Sequence, residues 1–250
     1  MGIDENEALV RGYYKTAPLW LPPNAQWRHF RFFLFDGTIQ KIPDRITTTD
    51  KLRAALLKYA PAHAYYSCSM FLNPTIIRKR GPKISENHFM GTDAMYYDID
   101  KKDIQKAKVE TKKLVTLLER EHNRSRDLME FIYSGSRGFH IKDFKVGYPR
   151  GNIIDPREWE MAVLQAKKEF ILDLEGKIDI DAEISYNTRC IIRLPGTIHG
   201  GTGNLCEKLE YGQIDNFKPK HIIDFTEIPK ALKLSDEMDQ LREIIAERGL

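Results

Sequence analysis

Asp98 and Asp100 close an aromatic run, MYYDID (95–100), that reads as a β-strand. Residues i and i+2 of a strand project to the same face. This strand therefore has one apolar face for a core and one face carrying two converging carboxylates. Two like charges held that close persist when something positive sits with them, and hard divalent cations coordinated by oxygen are the usual answer. The pair alone equally fits a strand end reaching solvent. An EF-hand is excluded, because Asp103 stands where its glycine is required and Val109 where its bidentate glutamate belongs. The pair therefore needs support from elsewhere in the chain.

The rest of the pattern is mixed. RHFRFFLFDG (28–37) and HAYYSCSMF (63–71) read as strands, with Asp36–Gly37 closing the first, and TTTDKLRAALLKYAP between them as a helix stopped at Pro61. A helix from about Lys102 to His122 carries the stripe Ile104, Ala107, Thr111, Leu114, Leu118. MEFIYS (129–134) and a segment around 140–144 follow as strands. Asp155, Pro156 and Glu158 open a helix running to Leu174. KIDIDAEIS and RCIIRLPG read as strands, and an amphipathic helix with Met238, Leu241 and Ile245 ends the chain. WLPPNA (20–25) reads as a rigid turn, and Tyr65, Tyr66, Tyr96 and Tyr97 as core aromatics. The expectation is α/β (α+β), one domain over residues 1–250 around a largely antiparallel sheet.

Composition narrows the setting. The 39 basic against 36 acidic residues leave a charge of +3, so a polyanion site must come from local clustering. RKRGPK (78–83) and Lys101, Lys102, Lys106, Lys108, Lys112 and Lys113 are such clusters; they suit a template backbone or a solvated face. Cys68, Cys190 and Cys206 form no C-x-x-C pair, so no ordinary zinc site and no disulfide framework is expected. No signal core, myristoylation pattern or apolar span is present, which points to a soluble protein away from membranes.

Two glycine turns supply positive charge. SGSRGFH (134–140) follows a strand, with glycines that let backbone amides approach a ligand and with Ser134, Arg137 and His140 suited to phosphate oxygens. It lacks P-loop spacing, and alone it also reads as a hairpin turn. RLPGTIHGGTG (193–203) brings Arg193 and His199, and Asp179, Asp181 and Glu183 add carboxylates ahead of it. Basic glycine turns beside an acidic cage match a triphosphate with its magnesium ions.

In order and spacing, YYDID, SGSRGFH and DAEIS with RCIIRLPGTIH resemble the three motifs of the archaeo-eukaryotic primase superfamily, in particular the catalytic small subunit of archaeal and eukaryotic DNA primases. AHAYYS looks like the strand before the first motif and WRHFRFF like the family's R-E-F segment, so the likeness touches about residues 27 to 205. It implies a mixed or antiparallel sheet joined to an RRM-like unit, with the active cleft between them and motifs at 96–100, 134–140 and 181–199. Asp98, Asp100 and Asp181 would hold two Mg²⁺ or Mn²⁺ ions; Ser134, Arg137 and His140 would grip the triphosphate; Arg193 and His199 would contact the incoming nucleotide; Arg28 carries over from R-E-F.

The implied activity is template-dependent nucleotidyl transfer that makes or extends primers. Its partners would be single-stranded DNA, NTP or dNTP and a primase large subunit, in the cytoplasm or at a nucleoid. The rivals are a repair or mobile-element polymerase that only extends primers, a non-catalytic nucleic-acid-binding module and a metal-dependent nuclease. The chain departs from the family where His29 replaces an acid, where no zinc knuckle follows Asp103 and where one helix, 156–174, stands for a larger helical subdomain.

Overall fold

The computed structural model describes residues 2–75 and 88–226; the basic loop 78–83 and the amphipathic segment with Met238, Leu241 and Ile245 lie outside them. The described elements run α1 (Gly2–Thr16), β1 (Phe30–Phe33), β2 (Ile39–Lys41), α2 (Thr49–Tyr59), β3 (His63–Ser67), β4 (Ser69–Phe71), β5 (Phe89–Thr92), β6 (Met95–Asp100), α3 (Ile104–Glu121), β7 (Met129–Tyr133), β8 (Gly138–Asp143), α4 (Pro156–Leu174), α5 (Ala182–Tyr186), β9 (Ile191–Arg193) and β10 (Glu207–Leu209). They form two four-stranded sheets, β2-β1-β3-β9 and β10-β7-β8-β6, and a small β4-β5 pair. Every pairing among the described strands is antiparallel, so the sheets are not mixed.

Each large sheet has its own core. Phe30, Phe32, Ala64, Tyr66 and Ile192 pack with Val10 and Tyr14 of α1 and Leu52 and Leu56 of α2. Met95, Tyr97, Ile99, Phe131, Phe139 and Ile141 pack with Ala107, Leu114 and Leu118 of α3 and Ile171 and Leu174 of α4. The expected α3 stripe is the face that packs, and its start falls at Ile104 because the Asp103 side chain accepts from Lys106 N. Tyr66, Tyr96 and Tyr97 are buried in these cores, and Tyr65 is buried with Phe33 and Ile191 in a small cluster of its own.

Strand alternation explains where the two units meet. Met95, Tyr97 and Ile99 face α3, so Tyr96, Asp98 and Asp100 face the other way, and Tyr96 joins the first unit's core. Lys142, the register partner of Tyr96 on β8, is buried there; its ammonium pairs with Glu130 and lies over Trp20 at 4.3 Å and Tyr66 at 5.3 Å. Burial lowers its pKa to about 8. The WLPPNA turn thus does more than reverse the chain, since it delivers Trp20 to this junction, with Lys208 on the same ring.

One expected strand is absent. Residues 182–186 of KIDIDAEIS form the helical turn α5, because the Asp181 carboxylate accepts from Ile184 N at 3.0 Å and caps it. The edge of β6 is covered by this segment instead of by another strand: Asp181 N donates to Asp98 O at 2.8 Å.

His29, where the primase motif has an acid, is a half-buried neutral ring whose Nδ1 donates to the Pro74 carbonyl. Burial first, then the Arg31 charge, lowers its pKa to about 3. In the unfolded chain it would titrate near 6.5. Between those values the unfolded state binds a proton that the native state refuses, so this group's contribution is intact above about pH 6.5 and is lost as pH falls toward 3. Urea midpoints measured from pH 7.5 to 4.5 should fall more steeply for the wild type than for His29→Phe; equal slopes would remove this account of His29.

Candidate active site

β6 and β8 bring the first two motifs into direct register, with Asp98 opposite His140 and Asp100 opposite Gly138. The backbone of Asp98 points away from β8, its carbonyl to Asp181 N and its N–H to Ser185 Oγ at 3.4 Å. Asp98 and His140 are therefore a non-hydrogen-bonded pair, the kind that sets side chains closest. Asp98 Oδ1 lies 3.5 Å from His140 Nε2. Ser185 completes the link to the third motif by donating to Asp181 O at 2.6 Å. Asp181 is thus fastened to the acidic strand through its backbone, while its carboxylate caps α5.

Asp98 is 8% exposed. Burial raises its pKa well above the usual carboxylate range, and the nearby Asp181 and Asp100 push it in the same direction, against Arg193. Arg137, at the tip of the β7–β8 hairpin, pairs with Asp100 at 3.0 Å. Among the described residues no group of three His, Cys, Asp or Glu side chains is gathered as a finished metal cage. Arg137 and the α5 cap engage two of the three carboxylates. The donor chemistry nonetheless fits a hard divalent cation: three carboxylates on adjoining segments, one of them buried against the charge of the others.

The two glycine turns are stitched to each other. Ser134 N donates to Gly138 O at 3.0 Å and closes the hairpin. Gly135 has φ +91°, and a Cβ there would stand 2.7 Å from His199 Cβ, so only glycine allows the turns to touch. Thr202 Oγ1 donates to Gly135 O at 2.7 Å. His199 Nδ1 accepts from the backbone N–H of Gly201 and Thr202 at 3.2 and 3.1 Å, which places the ring proton on Nε2. A strand pairing, β10 on β7, carries the second turn alongside the first.

Arg193 is buried behind this surface, with Nη1 at 2.6 Å from His63 Nδ1, Nη2 donating to Tyr65 OH at 2.9 Å, and its guanidinium over the Tyr65 ring at 4.8 Å. From the sequence, His63, Ser185 and Thr202 carry no site role and Tyr65 reads as a core aromatic. His63 and Tyr65 sit two apart on β3, and only the pairing of Tyr65 with Arg193 reveals their role.

Arg28 is engaged by the framework. It is 2% exposed; Nε donates to Pro23 O, Nη1 to Ser67 O and Cys68 O, and Nη2 to Asp93 Oδ2 at 2.5 Å. Its donors hold the framework of β3 and the β5–β6 turn. Arg28→Met should cost about 3–5 kcal/mol by stranding Asp93 and three carbonyls, read as a shift in urea midpoint, while the folded fraction binds nucleotide as the wild type does. Among the lysines offered for a template, Lys108 is buried and donates to Asp215 O and Phe217 O. Lys112 pairs with Asp215 and Lys101 with Asp179.

The fold has a solved counterpart. It is similar to the polymerase domain of Mycobacterium tuberculosis ligase D, solved in complex with DNA, with a TM-score of 0.55 at 12% identity over 98% of this chain and 92% of that one. In sequence the chain is similar to archaeal DNA primase small subunits, the likeness that the three motifs imply. It is 22% identical to that of Sulfurisphaera tokodaii over 82% of this chain and 79% of the relative, and 22% identical to that of Pyrobaculum arsenaticum over 84% and 79%. With the Methanospirillum hungatei small subunit the match is 26% over 52% of this chain, about a third of the relative's length (35%). No family model matches. Among the described residues no helix is long and apolar enough to cross a membrane.

Proposed function

We propose that the chain is a template-dependent nucleotidyltransferase that makes or extends primers on single-stranded DNA, with residues 1–250 acting as one catalytic domain. The observation that carries this is the register of β6 and β8, which sets Asp98 and Asp100 against the SGSRGFH turn while Asp181 is fastened to the Asp98 backbone. Asp98, Asp100 and Asp181 would hold two Mg²⁺ or Mn²⁺ ions, which when bound supply positive charge to the attacking hydroxyl and the leaving pyrophosphate. Ser134, Arg137 and His140 grip the triphosphate, and Arg137 exchanges Asp100 for phosphate oxygens as the nucleotide arrives. His199 offers its Nε2–H to the phosphates or sugar, and Arg193 contributes charge from beneath. A 3′-hydroxyl, or that of an initiating nucleotide, attacks the α-phosphate in line.

A second reading is favoured by one observation. β6 passes through Asp103 directly into α3, with no intervening zinc knuckle. On that reading the chain extends primers and does not start them, and a large subunit is not its partner. Labelled NTP and dNTP incorporation on single-stranded DNA, with and without a primer, separates the two. Products that begin without a primer favour the primase. Products only with one favour the extender, and template degradation without incorporation defeats both in favour of a nuclease. The site of action is proposed as the cytoplasm, at the DNA.

A further inference from the structure

His63 lies outside every motif, yet it joins two parts of the site through one atom. It is fully buried on β3, and its Nδ1 is 2.6 Å from Arg193 Nη1 and 3.2 Å from Gly200 N. Both neighbours are donors, so Nδ1 carries the lone pair and the ring proton sits on Nε2. The ring meets His199 edge to face, with centroids 4.8 Å apart. Tyr65, two residues along the same strand face, takes the other arm of the Arg193 guanidinium.

We propose that His63 is a positioning residue: its Nδ1 ties β9, through Arg193, to the glycine turn 199–203, and so holds that turn against the phosphate-gripping hairpin. This rests on the functional reading above only for what the turn binds. A buried imidazole with no acceptor task would be costly to desolvate, and an apolar side chain would fill the same space better. Here its acceptor is the common partner of a strand side chain and a turn amide. Beyond Gly200, Thr202 Oγ1 carries the tie to Gly135 O. What this chain of contacts holds is the turn set against the Gly135 hairpin, so loosening it should weaken nucleotide capture more than the transfer step.

The test compares His63→Asn, whose Oδ1 can stand near the Nδ1 position, with His63→Leu, which has no acceptor. Amide exchange across residues 199–203 should quicken about tenfold in His63→Leu, the loss of one hydrogen bond, and stay near wild type in His63→Asn. In primer extension the nucleotide KM should rise about tenfold in His63→Leu with a smaller change in kcat, and His63→Asn should restore it. Equal exchange in the two variants, or a loss confined to kcat, would overturn the proposal. Imidazole ¹⁵N shifts of the wild-type protein provide a reading independent of whether His63→Leu folds: a bare Nδ1 and a protonated Nε2 are expected, and a protonated Nδ1 overturns it. Exchange and ¹⁵N shifts need no nucleotide, so they stand even if the wild type proves inactive, a result that would sink the functional reading alone.

Discussion

Asp98→Asn is expected to fold at least as stably as the wild type and to lose nucleotide incorporation by about a hundred- to a thousandfold. The two halves of this expectation have one cause. Asp98 is a buried carboxylate whose ionised form is opposed by burial, by Asp181 and by Asp100. Removing the charge relieves that opposition, and asparagine keeps the shape and the backbone bonds to Asp181 and Ser185. A site that stabilises developing charge has no such latitude, and deleting one preorganised electrostatic group typically costs a hundred- to a thousandfold. Asp100→Asn should lose incorporation similarly. Its effect on stability should be small, because the pair with Arg137 is half exposed and such pairs contribute about 0–1 kcal/mol. Primer extension with Mg²⁺ or Mn²⁺, run beside thermal melts, reads both quantities. A melt that drops sharply, or extension that survives in either variant, would remove the acids from the proposed role.

Gly138→Ala is expected to cost about 2–4 kcal/mol and to damage incorporation in whatever fraction still folds. A Cβ at this position would stand 2.1 Å from Ile99 O and 3.1 Å from Asp100 Cα. Those are backbone atoms of the partner strand, which cannot rotate aside as the end of a flexible side chain can. β6 and β8 would have to part at the end that carries Asp98 and Asp100. Gly12→Ala is the control: nothing lies within 4 Å of its added Cβ, it sits inside α1, and the exchange should be neutral or stabilising by up to about 1 kcal/mol. Urea midpoints of the two variants should therefore move apart. Comparable midpoints would mean that the close approach of β8 to β6 does not constrain the site.

Much of this site can be read from local pattern. Asp98 and Asp100 converge because a strand has period two, and the SGSRGFH hairpin follows from a β-favouring run that breaks at Ser-Gly. What escaped the sequence depends on pairing between distant segments. The alternation I-D-I-D suggests a strand through Asp181, but an aspartate ahead of Ala-Glu-Ile caps a helical turn instead, and the β6 edge it covers, at Asp98, lies far earlier in the chain. Arg28 fits a motif by its letters, yet its donors go to carbonyls of β3 and to Asp93, contacts that no local pattern announces. His63 and Tyr65 read as part of an aromatic core strand because their partner, Arg193, is far along the chain. The edge strand β2 and the short β10 are missed for a simpler reason: each is three residues long and takes its structure from the strand it pairs with, and α1 is missed although its Val10 and Tyr14 share one buried face.

Incorporation of a labelled nucleotide on a primed single-stranded template, with Mg²⁺ or Mn²⁺, tests the central claim most directly. The wild-type chain should extend the primer according to the template base, and Asp98→Asn, with its melt unchanged or raised, should not. Absence of extension by the folded wild type under every pairing of metal and nucleotide, or equal extension by Asp98→Asn, would contradict the account.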